Sequence, residues 1–77
     1  MKFLVVIEKS RKGFAAYSPD IEGCVVAGRT RRATEKAMRT ALEMHLQALR
    51  EEGLEIPLPR STSTYFEVTR KRAKGRE

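Results

Sequence analysis

The stretch SPDIEGCVVAG, Ser18 to Gly28, gathers the side chains with the most obvious chemical potential: Asp20, Glu22 and the only cysteine, Cys24. With His45, the only histidine, as a base, such a set could support acid–base or nucleophilic catalysis. Position argues against it. Cys24 stands among apolar neighbours, and Arg29 is the only nearby cation in sequence to lower its pKa, so it reads as an inert small hydrophobe. His45 falls in line with Met38, Leu42 and Leu49, the place of a packed core or interface histidine. No third group is placed to orient a Cys24–His45 pair. Glu8 and Glu35 could approach one another, but Asp20 and Glu22 belong to the opposite end of the sheet. That leaves a pair where two-metal phosphodiester cleavage needs several converging carboxylates. One cysteine and one histidine cannot close a zinc site, and neither a glycine-rich phosphate loop nor a Gly-x-Ser-x-Gly elbow is present. The sequence therefore predicts no catalytic, metal-ligating or cofactor-binding residue, and a protein that is not an enzyme.

The elements that position these residues follow from pattern. Lys2–Glu8 (KFLVVIE) is a run of branched and aromatic residues that reads as a buried strand. The polar KSRKG loop leads by a hairpin into a second strand, Phe14–Ser18, which Pro19 stops. Pro19–Gly23 is turn chemistry, and Cys24–Arg29 is a third strand. A helix is expected from Arg31 to Glu52, capped by Thr30 and stopped by Gly53. Its apolar stripe is Met38, Leu42, His45 and Leu49, flanked by Ala37, Ala41, Met44 and Ala48; Arg32, Lys36, Arg39, Glu43, Gln47 and Arg50 line the wet side. A proline-spaced connection then leads to a fourth strand over Ser61–Thr69. The expected architecture is α+β, β-β-β-α-β, a mainly antiparallel sheet with one helix on one face. A right-handed crossover would set strand four parallel to strand one. Residues 70–77 form a basic tail without apolar pattern, expected to be disordered.

Two consequences concern partners. A domain of 77 residues buries only about 60% of the surface its unfolded chain exposes. Strand one is nonetheless apolar on both faces, with Phe3, Val5 and Ile7 on one and Leu4 and Val6 on the other. A single helix covers one face only, so the open sheet face or the last turns of the helix are expected to pack on another copy. Asp20, Glu22, His45, Leu46 and Leu49 are the candidate partner or oligomer residues. The net charge of +6 points to an anionic partner. The strand order gathers Lys9, Arg11 and Lys12, then Arg29, Arg31 and Arg32, then Arg70, Lys71, Arg72, Lys74 and Arg76 at one pole, 11 of the 16 basic residues. Arginines at a helix start oppose its macrodipole unless an anion sits there, so this pole is the candidate nucleic-acid contact. Asp20, Glu22, Glu51, Glu52 and Glu55 collect at the other pole. FLVVI is too short for a signal peptide or a membrane span, and one cysteine suits a reducing compartment, so a cytoplasmic protein without membrane contact is expected.

Taken together, KFLVVIEKS, then YSPDIEGCVVAGRT, then ALEMHLQALREEGLEIPLP resemble the HicB-like antitoxin family, with its VVIE strand, Y-x-PD-x-x-GC-x-x-G-x-T core, A-L-E-x-H-L-x-x-L helix and G-x-x-IP-x-P exit. The match runs from about Lys2 to Pro59 and makes residues 1–69 a HicB-like domain. It implies a truncated ribonuclease H-like fold without catalytic carboxylates. It also implies a homo-oligomer, dimer or tetramer, whose partner is HicA, a small messenger-RNA-cleaving toxin. Many family members add a C-terminal DNA-binding domain that represses their own operon; the short stretch after strand four departs from that pattern. Because the toxin is itself basic, the basic pole is expected to face away from it. The alternative is an orphan or accessory domain that binds nucleic acid through residues 9–12, 29–32 and 70–76 by sequence-independent phosphate contacts.

Overall fold

The computed structural model describes residues 1–70. Three strands precede a single helix: β1 (Val6–Lys9), β2 (Phe14–Ser18), β3 (Ile21–Gly28) and α1 (Arg31–Glu51). The strands form one sheet in the order β1-β2-β3, antiparallel throughout. The α+β class and the β-β-β-α order are those expected from the sequence.

Strand one pairs over a shorter span than its apolar run. Its ladder starts at Val6, opposite Tyr17, because Pro19 ends β2 one residue after Ser18 and leaves the segment before Val6 without a neighbour. The buried Ser18 hydroxyl instead donates to the Leu4 carbonyl at 2.7 Å, tying that segment to the end of β2. On the far side of β2, Tyr17 pairs with Val25 but Ser18 pairs with Ile21. The residues skipped between form a bulge, with Gly23 at a φ of +82° that a side chain rarely adopts. The bulge is what lets Ile21 and Cys24, three positions apart, both point into the core, at 1% and 5% exposure. Strict alternation would have put them on opposite faces.

Thr30 caps α1 as expected, its hydroxyl oxygen accepting from the Ala33 N–H at 3.0 Å. The helix closes in a Schellman motif: the Leu54 N–H donates to the Leu49 carbonyl at 2.9 Å and the Gly53 N–H to the Arg50 carbonyl at 3.0 Å. α1 lies over β3 and β2 rather than over β1. That offset rests on a close approach at Gly28, where a Cβ would stand 2.5 Å from Thr34 Oγ1. Thr34 itself is fully buried, its hydroxyl satisfied by the Thr30 carbonyl at 2.8 Å.

The buried apolar core is small: Ala16, Ile21, Cys24 and Met38, with Phe3, Val5, Ile7, Val26, Ala41, Leu42 and Leu46 half-covered around it. Leu46 joins the inner stripe, whereas Met44 is 65% exposed and Ala48 is on the surface. The expected wet side, Arg32 through Arg50, is exposed throughout. Among the described residues no helix is long and apolar enough to cross a membrane.

Strand four is the one expected element that this chain does not form. Ser61–Thr69 joins no ladder and runs out as an arm, with Tyr65, Phe66 and Val68 at 98%, 84% and 79% exposure. Its β-branched and aromatic composition states what the segment prefers once it has a neighbour; it does not supply one. The tail expected over residues 70–77 lies, beyond Arg70, outside the described residues.

Candidate functional site

The groups singled out for catalysis do not assemble. Cys24 is buried among the core residues, and burial raises its thiol pKa above the ordinary value, which favours the protonated form. His45 is half-buried on α1, and among the described residues no hydrogen bond links it to Cys24. No group of His, Cys, Asp and Glu among the described residues converges to hold a metal.

At the candidate basic pole, the pairing of Lys9, Phe14 and Gly28 across the sheet brings the first hairpin and the β3–α1 junction side by side. Lys9, Arg11, Lys12, Arg29, Arg31 and Arg32 are all exposed, and Lys12 and Arg29 line one shallow depression with Phe14. Arg31 is already engaged: its Nε donates to the Glu35 carboxylate at 3.0 Å, the exposed ion pair of the first helical turns. Arg70 was expected here because strand four would climb beside strand one; it ends the unpaired arm instead. Lys71, Arg72, Lys74 and Arg76 lie outside the described residues.

Asp20 has a role that its turn chemistry did not reveal. One carboxylate oxygen accepts the backbone N–H groups of Ser61 and Arg60 at 2.8 and 2.9 Å, and the other accepts the Ser61 hydroxyl at 2.9 Å. The Ser61 N–H first, then the Arg60 N–H, holds its pKa below the ordinary carboxylate value. The β2–β3 turn therefore clamps the root of the arm, and Asp20 is a structural anchor rather than a free contact residue. The signal was legible only as an aspartate in a turn, since its partners lie 41 positions downstream at the furthest. Glu22 remains exposed on β3.

Two apolar surfaces remain uncovered. The first is a groove of about 670 Å³ between the unpaired flank of β1 and α1, walled by Phe3, Val5 and Ile7 on the sheet side and by Met38, Leu42 and Leu46 on the helix side, with the exposed charged side chains of Arg31, Glu35, Arg39, Glu43 and Arg50 also lining it. It exists because α1 is seated towards β3. Of the predicted oligomer residues, Leu46 lines it, while His45 and Leu49 are half-buried nearby on the same helix. The second is the sheet face away from α1. There Val6, Tyr17 and Val25 stand in one cross-strand row, with Tyr17 37% and Val25 66% exposed, and Glu8, Ala15 and Ala27 form the next row.

Comparison with known proteins bears on what these surfaces meet. No family model matches the chain, and no curated protein matches it. Among solved structures it is similar to a chain of the HicA3 and HicB3 toxin-antitoxin complex, with 35% identity and a TM-score of 0.63, covering 77% of this chain and 72% of that one.

Proposed function

The chain belongs to the HicA–HicB family of toxin–antitoxin proteins, and we propose that within such a pair it is the HicB-like antitoxin, a non-catalytic oligomer that binds and occludes a HicA-type toxin. The observation that carries this reading is the likeness to a chain of a solved toxin–antitoxin complex over most of both lengths. The HicB-like motifs fall on structural positions here: the PDIEGC segment makes the clamp turn and the bulge, and the A-L-E-x-H-L stretch packs Ala41, Leu42 and Leu46 against the core.

The toxin-facing surface in this reading is the open sheet face. Its apolar row of Val6, Tyr17 and Val25 is bordered by Glu8 in the adjacent row and by the exposed Glu22 of β3. An apolar centre with carboxylates at its edge suits a small basic protein. The arginines and lysines of the basic pole cluster instead around the first hairpin and the start of α1. Expression of a HicA-type toxin alone should arrest growth, and co-expression of this chain should restore it and yield a co-purifying complex. Val25→Lys, at a side chain that is two-thirds exposed, should weaken that complex while leaving the fold intact. A chain that neither rescues growth nor binds any toxin of this class is not an antitoxin.

A further inference from the structure

We propose that the arm Thr62–Arg70 of one copy adds as a fourth strand to the open edge of β1 in a second copy and fills its groove, each copy giving its arm to the other. The starting observation is a mismatch within the chain. Among the described residues β1 has β2 as its only neighbour, so its outer edge is open, the situation that invites another strand. Immediately beside that edge lies a groove with an apolar floor of Phe3, Val5, Ile7, Met38, Leu42 and Leu46 among charged side chains of α1. The chain also carries a segment of strand-forming residues with no sheet to join.

The arm fits the edge by its period. Side chains alternate across an extended backbone. Thr62, Thr64, Phe66 and Val68 therefore share one face, and Ser63, Tyr65, Glu67 and Thr69 the other. Laid along β1, the first set turns Phe66 and Val68 into the groove against Phe3, Val5 and Leu42. The second set puts Tyr65 beside the Val6–Tyr17–Val25 row. The arm's own edge is an unsuitable seat in the observed geometry. The Asp20 clamp fixes the arm's root, and the arm leaves the sheet with Phe66 84% exposed while the edge of the same chain stays empty. A reciprocal exchange uses the same patch twice and closes with two-fold symmetry.

Area supports a second copy as the occupant. The chain exposes 6905 Å², against about 4,800 Å² for a folded monomer of this mass. With about 1,200 Å² set aside for the seven residues beyond Arg70, an excess on the order of 1,000 Å² remains. That is near the ~800 Å² per partner of a standard stable interface. The two Phe66 rings alone would bury on the order of 300–500 Å² and cover a comparable area of the grooves that receive them.

This inference rests on the oligomeric part of the reading above and not on toxin binding, so the two can fail separately. The test uses the full chain. In a mixture of 13C-labelled and unlabelled copies, isotope-filtered NOEs should connect the Phe66 ring to the methyl groups of Val5, Ile7 and Leu42 of a different molecule. In sedimentation, Phe66→Asp with Val68→Asp should weaken self-association by at least ~100-fold. Both side chains are exposed in the folded chain, so the helical circular dichroism should not change. A wild type that stays monomeric, NOEs that run only within one molecule, or a double variant that associates as tightly as wild type would each overturn the exchange.

Discussion

Gly28→Ala tests whether the contact between β3 and α1 sets the position of the helix, and hence the groove beside β1. A Cβ at this position would meet Thr34 Oγ1 at 2.5 Å, Thr34 N at 3.1 Å and Thr34 Cα at 3.2 Å. Comfortable carbon contacts start near 3.5 Å, so either the threonine or the strand must move. Thr34 has little freedom: it is β-branched, fully buried, and its hydroxyl donates to the Thr30 carbonyl at 2.8 Å. Rotating it away would leave a buried hydroxyl unpaired, at about 1–3 kcal/mol. Lifting β3 off the helix would loosen Cys24 and Met38, and overpacking of this kind costs about the same. The total stability of a chain this short is on the order of 4–12 kcal/mol, so the loss is a large share of it. With a urea m-value near 1 kcal/mol/M for a small protein, the midpoint should fall by about 1–3 M. The measurement is urea unfolding followed by circular dichroism, at one fixed protein concentration because pairing of copies would add to apparent stability. In a Thr34→Ala background the 2.5 Å contact is gone and the remaining ones can relax by a few tenths of an ångström. The alanine at position 28 should then cost at least ~1 kcal/mol less, a coupling that a double-mutant cycle reads directly. A Gly28→Ala protein within about 0.5 kcal/mol of wild type, or an equal cost in both backgrounds, would refute the packing argument.

Two further outcomes concern single groups. Asp20 has a depressed pKa in the folded chain, so its clamp on Arg60 and Ser61 should be fully present above the ordinary value of 3.8 and be lost as pH falls below it. In an NMR titration the Asp20 carboxyl carbon should titrate below 3.8 together with the Arg60 and Ser61 amides, and Asp20→Asn should abolish the coupled shift; titration at or above 3.8 would contradict the clamp. Cys24 is buried with a raised pKa, so at neutral pH the native thiol should resist alkylation and label only as the chain unfolds. Labelling as fast as an unstructured thiol would place it outside the core.

What the sequence revealed and what it concealed divide along one physical line. Short-range rules worked: the Thr30 cap, the Gly53 stop, the end of β2 at Pro19 and the wet face of α1 are all local chemistry read within a few residues. Features that depend on distant parts of the chain did not show. The bulge that turns both Ile21 and Cys24 inward breaks the alternation on which strand reading relies. The Thr34–Gly28 approach hides a fully buried threonine on a stripe sought among Met and Leu. Asp20 reads in the sequence as a turn residue and a candidate partner contact, yet its carboxylate binds backbone far along the chain. Ser61–Thr69 has strand-forming composition and yet forms no strand, because a strand is a relation between two segments and among the described residues this one pairs with none.

That last point joins the two proposals. The Val6–Tyr17–Val25 row ends at the β1 edge, so a strand added there would widen the same face with Tyr65. Arm exchange would therefore enlarge the toxin-facing surface while its Phe66 side closed the groove against α1. The free chain would keep that surface small and its edge open. The order of assembly would then follow: copies would pair first, because only the pair would have a broad apolar face and no loose strand, and the toxin would meet the completed sheet. On this reading the Phe66→Asp, Val68→Asp chain should bind toxin more weakly even though neither position touches it. Equal binding by the monomeric variant would separate the two surfaces and leave toxin capture to the three-stranded sheet alone.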